Sequence, residues 1–294
     1  MSKYVSYFNL GATLYTPCTH GKLSLLMQNS SPMIRSTVLC LEDAVHEDEL
    51  PLALNNLKTS LQDFNRKDKV KRFIRPRNPL VLAEILRYKN IDKIDGFVLP
   101  KFDLHNINLY EKVIKDYEHD HFSYMPIIET AQAFEPKAMV QLCQSLKKWG
   151  DKVICLRIGG NDLMNLLGIK RMKGMTTYDT PLRSVIDQLV ITFRPQGFEL
   201  SAPVFDLIED LETLKEEVMM DLAYGFYAKT AIHPSQIEVI ENAFSSFSEN
   251  HIGQAKSVLN KNASAVFKFN GQMMEKKCHD RWATRTIKLA ECYN

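Results

Sequence analysis

Short runs of apolar, β-branched and aromatic residues recur along the chain, and after most of them apolar positions return at helical spacing. Eight runs read as strands: Ala12 to Thr16, Thr37 to Leu41, Arg72 to Arg75, Gly96 to Leu99, Met125 to Ile128, Val153 to Ile158, Phe198 to Val204 and Tyr224 to Ala228. Pro203 interrupts the seventh, and the eighth contains a glycine. Amphipathic helices are predicted over Glu47 to Phe64, Pro79 to Lys89, Leu109 to Tyr117, Pro136 to Trp149, Pro181 to Phe193 and Leu207 to Asp221. Such alternation implies parallel strands joined by crossover helices. An open doubly wound sheet would more often bring a glycine-rich phosphate loop after an early strand. The only double glycine, Gly159-Gly160, follows the sixth run and fits neither the dinucleotide nor the P-loop spacing. Eight units in about 250 residues match a (β/α)8 TIM barrel.

After about Phe244 the pattern turns polar and helical, with Ser248 to Asn260 and Arg281 to Tyr293 joined by a turn-like Asn270-Gly271. The expected organisation is a catalytic barrel over residues 1–245 and a C-terminal helical extension over 246–294, packed on the barrel or on a neighbouring subunit.

Composition narrows the function classes. With 37 Lys and Arg against 35 Asp and Glu, the formal charge is +2, far from the basic footprint of a dedicated nucleic-acid binder, so no nucleic-acid partner is expected. The densest basic run, Arg66 to Arg77, leads into an apolar segment and reads as a solvated face. No stretch of about 18 apolar residues and no signal-like start occur, so a cytoplasmic protein without membrane contact is expected. The six cysteines form no C-x-x-C pair, which argues against a zinc ribbon or a redox motif.

In a (β/α)8 barrel the chemistry sits where strands end. The residues there are Thr16, Glu42 and Asp43, Arg75 and Arg77, Lys101, Glu129, Asn161 and Asp162, Asp206, Lys229 and His233. Glu129 and Asp162 follow adjacent strands. Either alone would serve as a helix cap. As a pair they suit Mg²⁺, or Mn²⁺ in its place, because a hard cation takes oxygen donors and keeps several waters. Arg75 can grip a substrate carboxylate or an enolate oxygen at two points, or pair with Glu42 or Asp43. Arg77 competes with it for that role. Lys101 offers either a Schiff base or a plain positive charge, with the charge favoured beside a metal pair. His233 precedes a proline that suits a helix start and either caps that helix or touches ligand. His119 and His121 offer a minor two-histidine metal site without a third ligand.

These residues sit in segments that resemble the citrate lyase beta-subunit and malyl-CoA lyase group of the HpcH/HpaI aldolase superfamily. The likeness is carried by LYTPCTHGK, CLEDAV, FIRPRNP, GFVLPK, PIIET, GGNDLMNLLG, GFYAKTAIHPSQI and FNGQMMEKK, over nearly the whole length. It implies that Glu129 and Asp162 hold Mg²⁺, that Arg75 binds the 2-oxo acid and its enolate, and that Asp43 orients metal-bound water. It also implies that Glu275 reaches a neighbouring subunit's site, in a homo-oligomer such as a trimer or hexamer. Cys18 stands where many members have glycine, and R-P-R-N replaces R-x-N, features closer to the carbon-carbon bond lyases linked with tellurium-resistance clusters.

The expected activity is Mg²⁺-dependent retro-aldol or Claisen-type cleavage of a 2-oxo acid-derived or acyl-CoA substrate through a stabilised enolate. A CoA thioester is a candidate co-substrate. The rival readings are an oxo-acid decarboxylase, an acyl-CoA thioesterase and a ligand-binding barrel without turnover.

Overall fold

The computed structural model describes residues 4–28, 31–117 and 121–293. Eight parallel strands form one sheet: β1 (Gly11–Pro17), β2 (Ser36–Cys40), β3 (Lys71–Arg75), β4 (Gly96–Leu99), β5 (Ser123–Ile128), β6 (Leu156–Ile158), β7 (Leu200–Ser201) and β8 (Ala228–Ala231). Neighbours in sequence pair from β1 to β7, and β8 pairs with β1. The ring closes between β7 and β8 through a single bridge, Ala202 to Lys229, where the Ala202 N–H donates to the Ala228 carbonyl at 2.8 Å. The chain is therefore a (β/α)8 barrel.

The strands β2, β4 and β5 are buried at every position, which explains why they read as continuous apolar runs. Alternate residues divide between two cores. Val38, Phe73, Val98, Met125 and Cys155 belong to one, while Leu39, Ile74, Phe97, Tyr124 and Leu156 pack in the other beneath the helices. The crossovers are α1 (Leu23–Gln28), α2 (Leu50–Asp63), α3 (Pro79–Ile85), α4 (Ile107–Asp116), α5 (Pro136–Leu146), the pair α6 (Gly160–Leu166) and α7 (Leu182–Phe193), and α8 (Leu211–Ala223). Helix α2 buries Ala53, Leu57 and Leu61, one stripe at helical spacing. Helix α3 starts at Asn78, whose side chain accepts from the Val81 N–H at 3.0 Å.

The eighth strand lies four residues later than its apolar signal. Tyr224 caps α8, Gly225 turns the chain at φ +74°, and Phe226 and Tyr227 lead into a strand that reads Ala-Lys-Thr-Ala. Lys229 is not a rim residue. It points outward and is fully buried between Glu217 and Asp221 of α8, at 2.8 Å from each.

Helix α9 (Pro234–Leu259) runs without a break through residue 245, so the barrel's last helix and the start of the extension are one element. The chain ends in a hairpin and a helix, β9 (Val266–Phe269), β10 (Gln272–Glu275) and α10 (Lys276–Tyr293). Asn270 and Gly271 both take left-handed backbone, at φ 46° and 83°, as a two-residue hairpin turn demands. Helix α9 descends from the mouth, and Glu241 already meets the Ala12 N–H near the opposite end of β1, at 2.6 Å. The hairpin packs near Gln254 and Val258 and therefore lies about 20 Å beyond that end, at 1.5 Å of rise per residue.

Candidate metal and substrate site

The strand ends converge on one acidic and basic rim. Glu42 and Asp43 follow β2, Arg75 ends β3, Lys101 follows β4, Glu129 follows β5, and Asp162 lies in the first turn of α6 after β6. Arg75, Asp43, Glu129 and Asp162 line one cavity of about 290 Å³, together with Tyr15, Arg157 and Thr230. A wider groove of about 890 Å³ opens at the opposite end, beside Arg35 and Glu241. Arg35, Arg66 and Lys71 there are paired with Glu241 or Asp95, and among the described residues no free acid pair faces it.

Glu129 is 4% exposed, and one of its oxygens accepts the Lys101 N–H at 2.7 Å. Lys101 has φ +48°, a left-handed conformation uncommon outside glycine, which aims that N–H. Burial pushes the Glu129 carboxyl up to about 7, and the charge of Asp162 adds to the rise against the opposing pull of Lys101 and Arg75. Gly159 makes room for this carboxylate: a Cβ there would sit 2.3 Å from Glu129 Oε2. Two carboxylates thus face the same space and repel one another, a conflict a shared cation relieves.

The charges around them are paired. Arg75 reaches Glu42 at 3.1 Å and Asp43 at 3.2 Å, and donates to Cys40 Sγ at 3.1 and 3.3 Å. The Lys101 ammonium lies 2.6 Å from Glu42 and 3.4 Å from both Asp43 and Asp162. Burial raises the Glu42 carboxyl, helped by its bond to Asp43. Burial also works against ionised Asp43, yet its bond from Glu42 and the charges of Arg75 and Lys101 hold it below its ordinary range. Of this couple, Asp43 gives up its proton the more readily. Burial opposes the Lys101 charge, but the acids around it, Glu42 first, keep it above the ordinary lysine range. It stands as an ammonium, not as the neutral amine a Schiff base requires.

Arg77, His233 and Glu275 are not drawn into the cavity. The Arg77 guanidinium donates to the carbonyls of Glu42 and Val45, at 3.4 and 2.5 Å, and so holds the β2–α2 loop. Pro76 breaks the parity that would have turned Arg77 to the same side as Arg75. His233 is exposed and caps α9, accepting from the Ser235 N–H at 3.2 Å. Glu275 ends β10 in the hairpin, far from its own mouth. His121 packs on Phe122 with ring centroids 4.1 Å apart, while His119 lies outside the described residues.

Three site residues escape a reading confined to strand ends, or gain no role from it, though each carries a signal. Glu42 stands beside Asp43. Tyr15 points in from β1. Arg157 is a charge inside the apolar run of β6, and a charge in a buried strand is itself a warning of function.

Among the described residues no group of three or more His, Cys, Asp or Glu has metal-holding geometry. Two carboxylates facing one cavity still fit Mg²⁺, which fills its remaining positions with water and substrate oxygens.

A closed parallel barrel whose strand ends gather acids and an arginine around one cavity has the layout of a barrel enzyme. The model of the carbon-carbon bond lyases of the TIM-barrel fold matches residues 4–294, and the chain belongs to that family. Among solved structures it is similar to CitE from Mycobacterium tuberculosis in complex with magnesium, acetoacetate and coenzyme A, with a TM-score of 0.69 and 21% identity over 96% of this chain and 97% of that one. RipC from Yersinia pestis gives 0.62 and 19%, over 81% of this chain and 96% of that one. The M. tuberculosis citrate lyase beta subunit with oxaloacetate and magnesium gives 0.59 and 20%, over 80% and 98%. No curated protein sequence matches. No helix among the described residues is long and apolar enough to cross a membrane.

Proposed function

We propose that this carbon-carbon bond lyase cleaves or forms a bond next to the carbonyl of a 2-oxo acid-derived substrate, with Mg²⁺ held by Glu129 and Asp162. The observation that carries the reading is the pair of carboxylates facing one small cavity beside Arg75. When bound, the metal supplies Lewis-acid polarisation of the carbonyl.

The side chains do the rest. Arg75, held by Glu42 and Asp43, presents its guanidinium to the carboxylate or to the oxygen on which enolate charge develops. Asp43, kept anionic at the rim, accepts the hydroxyl proton of the substrate directly or through water. The O–H electron pair then becomes a carbonyl, the carbon-carbon pair passes into the enolate, and a returning proton completes the second product. Lys101 orients Glu129 through its backbone and keeps the acidic rim neutral through its ammonium.

Glu275 completes the site only from a neighbouring chain, because its own hairpin lies beyond the far end of the barrel. This favours a homo-oligomer, a trimer or hexamer. CoA thioesters belong in the assay because the CitE structure holds coenzyme A. Calorimetry with Mg²⁺ and pyruvate, glyoxylate or oxaloacetate, followed by turnover with and without CoA thioesters, tests the reading. Glu129→Gln and Asp162→Asn should abolish Mg²⁺-dependent binding and turnover, and full activity in either variant refutes the assignment.

A further inference from the structure

Among the described residues four arginines are buried: Arg72, Arg75, Arg157 and Arg171. Three of them have carboxylate partners: Arg72 pairs with Asp68, Arg75 with Glu42 and Asp43, and Arg171 with Asp206 and Glu217. Arg157 is only 2% exposed, and no carboxylate among the described residues pairs with it.

Its hydrogen bonds are too few for its charge. The guanidinium has five N–H donors. One meets Thr230 Oγ1 at 2.7 Å; Thr13 Oγ1 at 3.5 Å and Met125 Sδ at 3.6 Å are weak acceptors. The guanidinium carbon lies 5.5 Å from the Tyr15 ring centroid, and that of Arg75 lies 5.4 Å from the same ring. A buried cation beside another cation, without an anion of its own, is costly unless a ligand supplies the charge.

The cavity places that ligand. Arg157 pairs in register with Ile127, two residues before Glu129, and so sits one pleat, about 7 Å, deeper than the carboxylate pair. Both Arg157 and Thr230 line the cavity floor. We infer that Arg157 binds a second carboxylate of the substrate, so that the 2-oxo acid half released or taken up in the reaction is a small diacid, with its oxo-acid head at the rim and its distal carboxylate on the floor. This rests on the metal-site reading above. The cavity volume, about 290 Å³, suits such an acid.

The test is calorimetry on the full chain in Mg²⁺ with two matched pairs, oxaloacetate against 2-oxobutyrate and 2-oxoglutarate against 2-oxovalerate. Within each pair a carboxylate replaces a methyl group. The wild type should prefer the diacid of at least one pair by about tenfold or more, as expected for a two-point guanidinium-carboxylate grip. Arg157→Met should erase that preference and change monoacid binding by less than about threefold, which also certifies the fold. Arg157→Lys should retain only part of it, since lysine lacks the planar fork. If Arg157→Met does not fold, Arg157→Lys decides, and an undiminished preference there overturns the inference. Equal binding within both pairs by the wild type, or a preference that survives Arg157→Met, overturns it and leaves the metal reading intact. A preference that needs Arg157 but is indifferent to Mg²⁺ and to Glu129→Gln supports the inference and sinks the metal reading. No binding of any acid by the wild type overturns both.

Discussion

The buried carboxyl of Glu129 should make the metal-free protein less stable as pH rises, and Glu129→Gln should remove that loss. Its folded value is about 7 against an ordinary 4.5, so the folded state binds the proton more tightly. A raised folded value contributes stability that is fully present below 4.5 and is lost as pH rises to about 7. The two and a half units between them correspond to about 3 kcal/mol, lost between pH 4 and pH 8. At roughly 2 °C per kcal/mol for a chain of this size, the wild type should gain about 6 °C less from the rise in pH than Glu129→Gln does. Glutamine keeps an oxygen for the Lys101 N–H, so the variant isolates the charge. Melting curves in EDTA at pH 4, 6 and 8, repeated with Mg²⁺, measure both effects. Mg²⁺ should restore the wild type at pH 8 and leave the variant unmoved. A difference between the two proteins that is constant across pH, or a variant that Mg²⁺ still stabilises, refutes the reasoning.

Other side chains separate site from scaffold. Gly159→Ala should lower Mg²⁺ affinity at least about tenfold in calorimetry while leaving far-UV dichroism unchanged, because the new methyl displaces Glu129 Oε2. Arg75→Ala should abolish turnover and cost about 1–3 kcal/mol in urea melts, since buried Glu42 loses one of its two cationic partners and keeps Lys101, whereas Arg77→Ala should cost about 1–2 kcal/mol with substrate affinity unchanged. His233→Ala should lose about 0.5–1 kcal/mol of stability as a helix cap and keep kcat/KM within about twofold. Lys229→Met should destabilise by about 3–5 kcal/mol, since it leaves Glu217 and Asp221 buried side by side; an unchanged urea midpoint would disprove that role.

Strands whose inward and outward faces are both apolar announce themselves in the sequence, and β1 to β5 fall within two residues of their runs. The sixth run is longer than its strand because Val153 forms only an isolated bridge. The eighth strand departs from its run because it carries Lys229, whose charge is cancelled by Glu217 and Asp221 on another element. A run-by-run reading does not see that pairing. Arg157 escapes notice for the related reason that its partners, Thr13 and Thr230, are far away in sequence. At the rim, Glu129, Asp162, Asp43, Arg75 and Lys101 are legible because strand ends in a closed barrel share one address. Arg77 and His233 share it too, but the Arg77 guanidinium is held on the Glu42 and Val45 carbonyls and His233 caps its own helix. The Asn270-Gly271 turn is visible, while its flanking strands, mostly exposed, lack the apolar alternation that marks a buried ladder.

Helix α10 holds residues that were made long before it. Tyr293 binds Glu241 at 2.7 Å, Cys292 reaches Asn9 at 2.9 Å, and Arg285 grips Glu199 at 2.8 Å. A ribosome still translating this helix therefore carries a barrel in which β1 can already pair with β8, while Asn9, Glu199 and Glu241 lack the contacts that α10 brings. Chaperones that guard unfinished barrels should find this nascent chain a customer until α10 has docked.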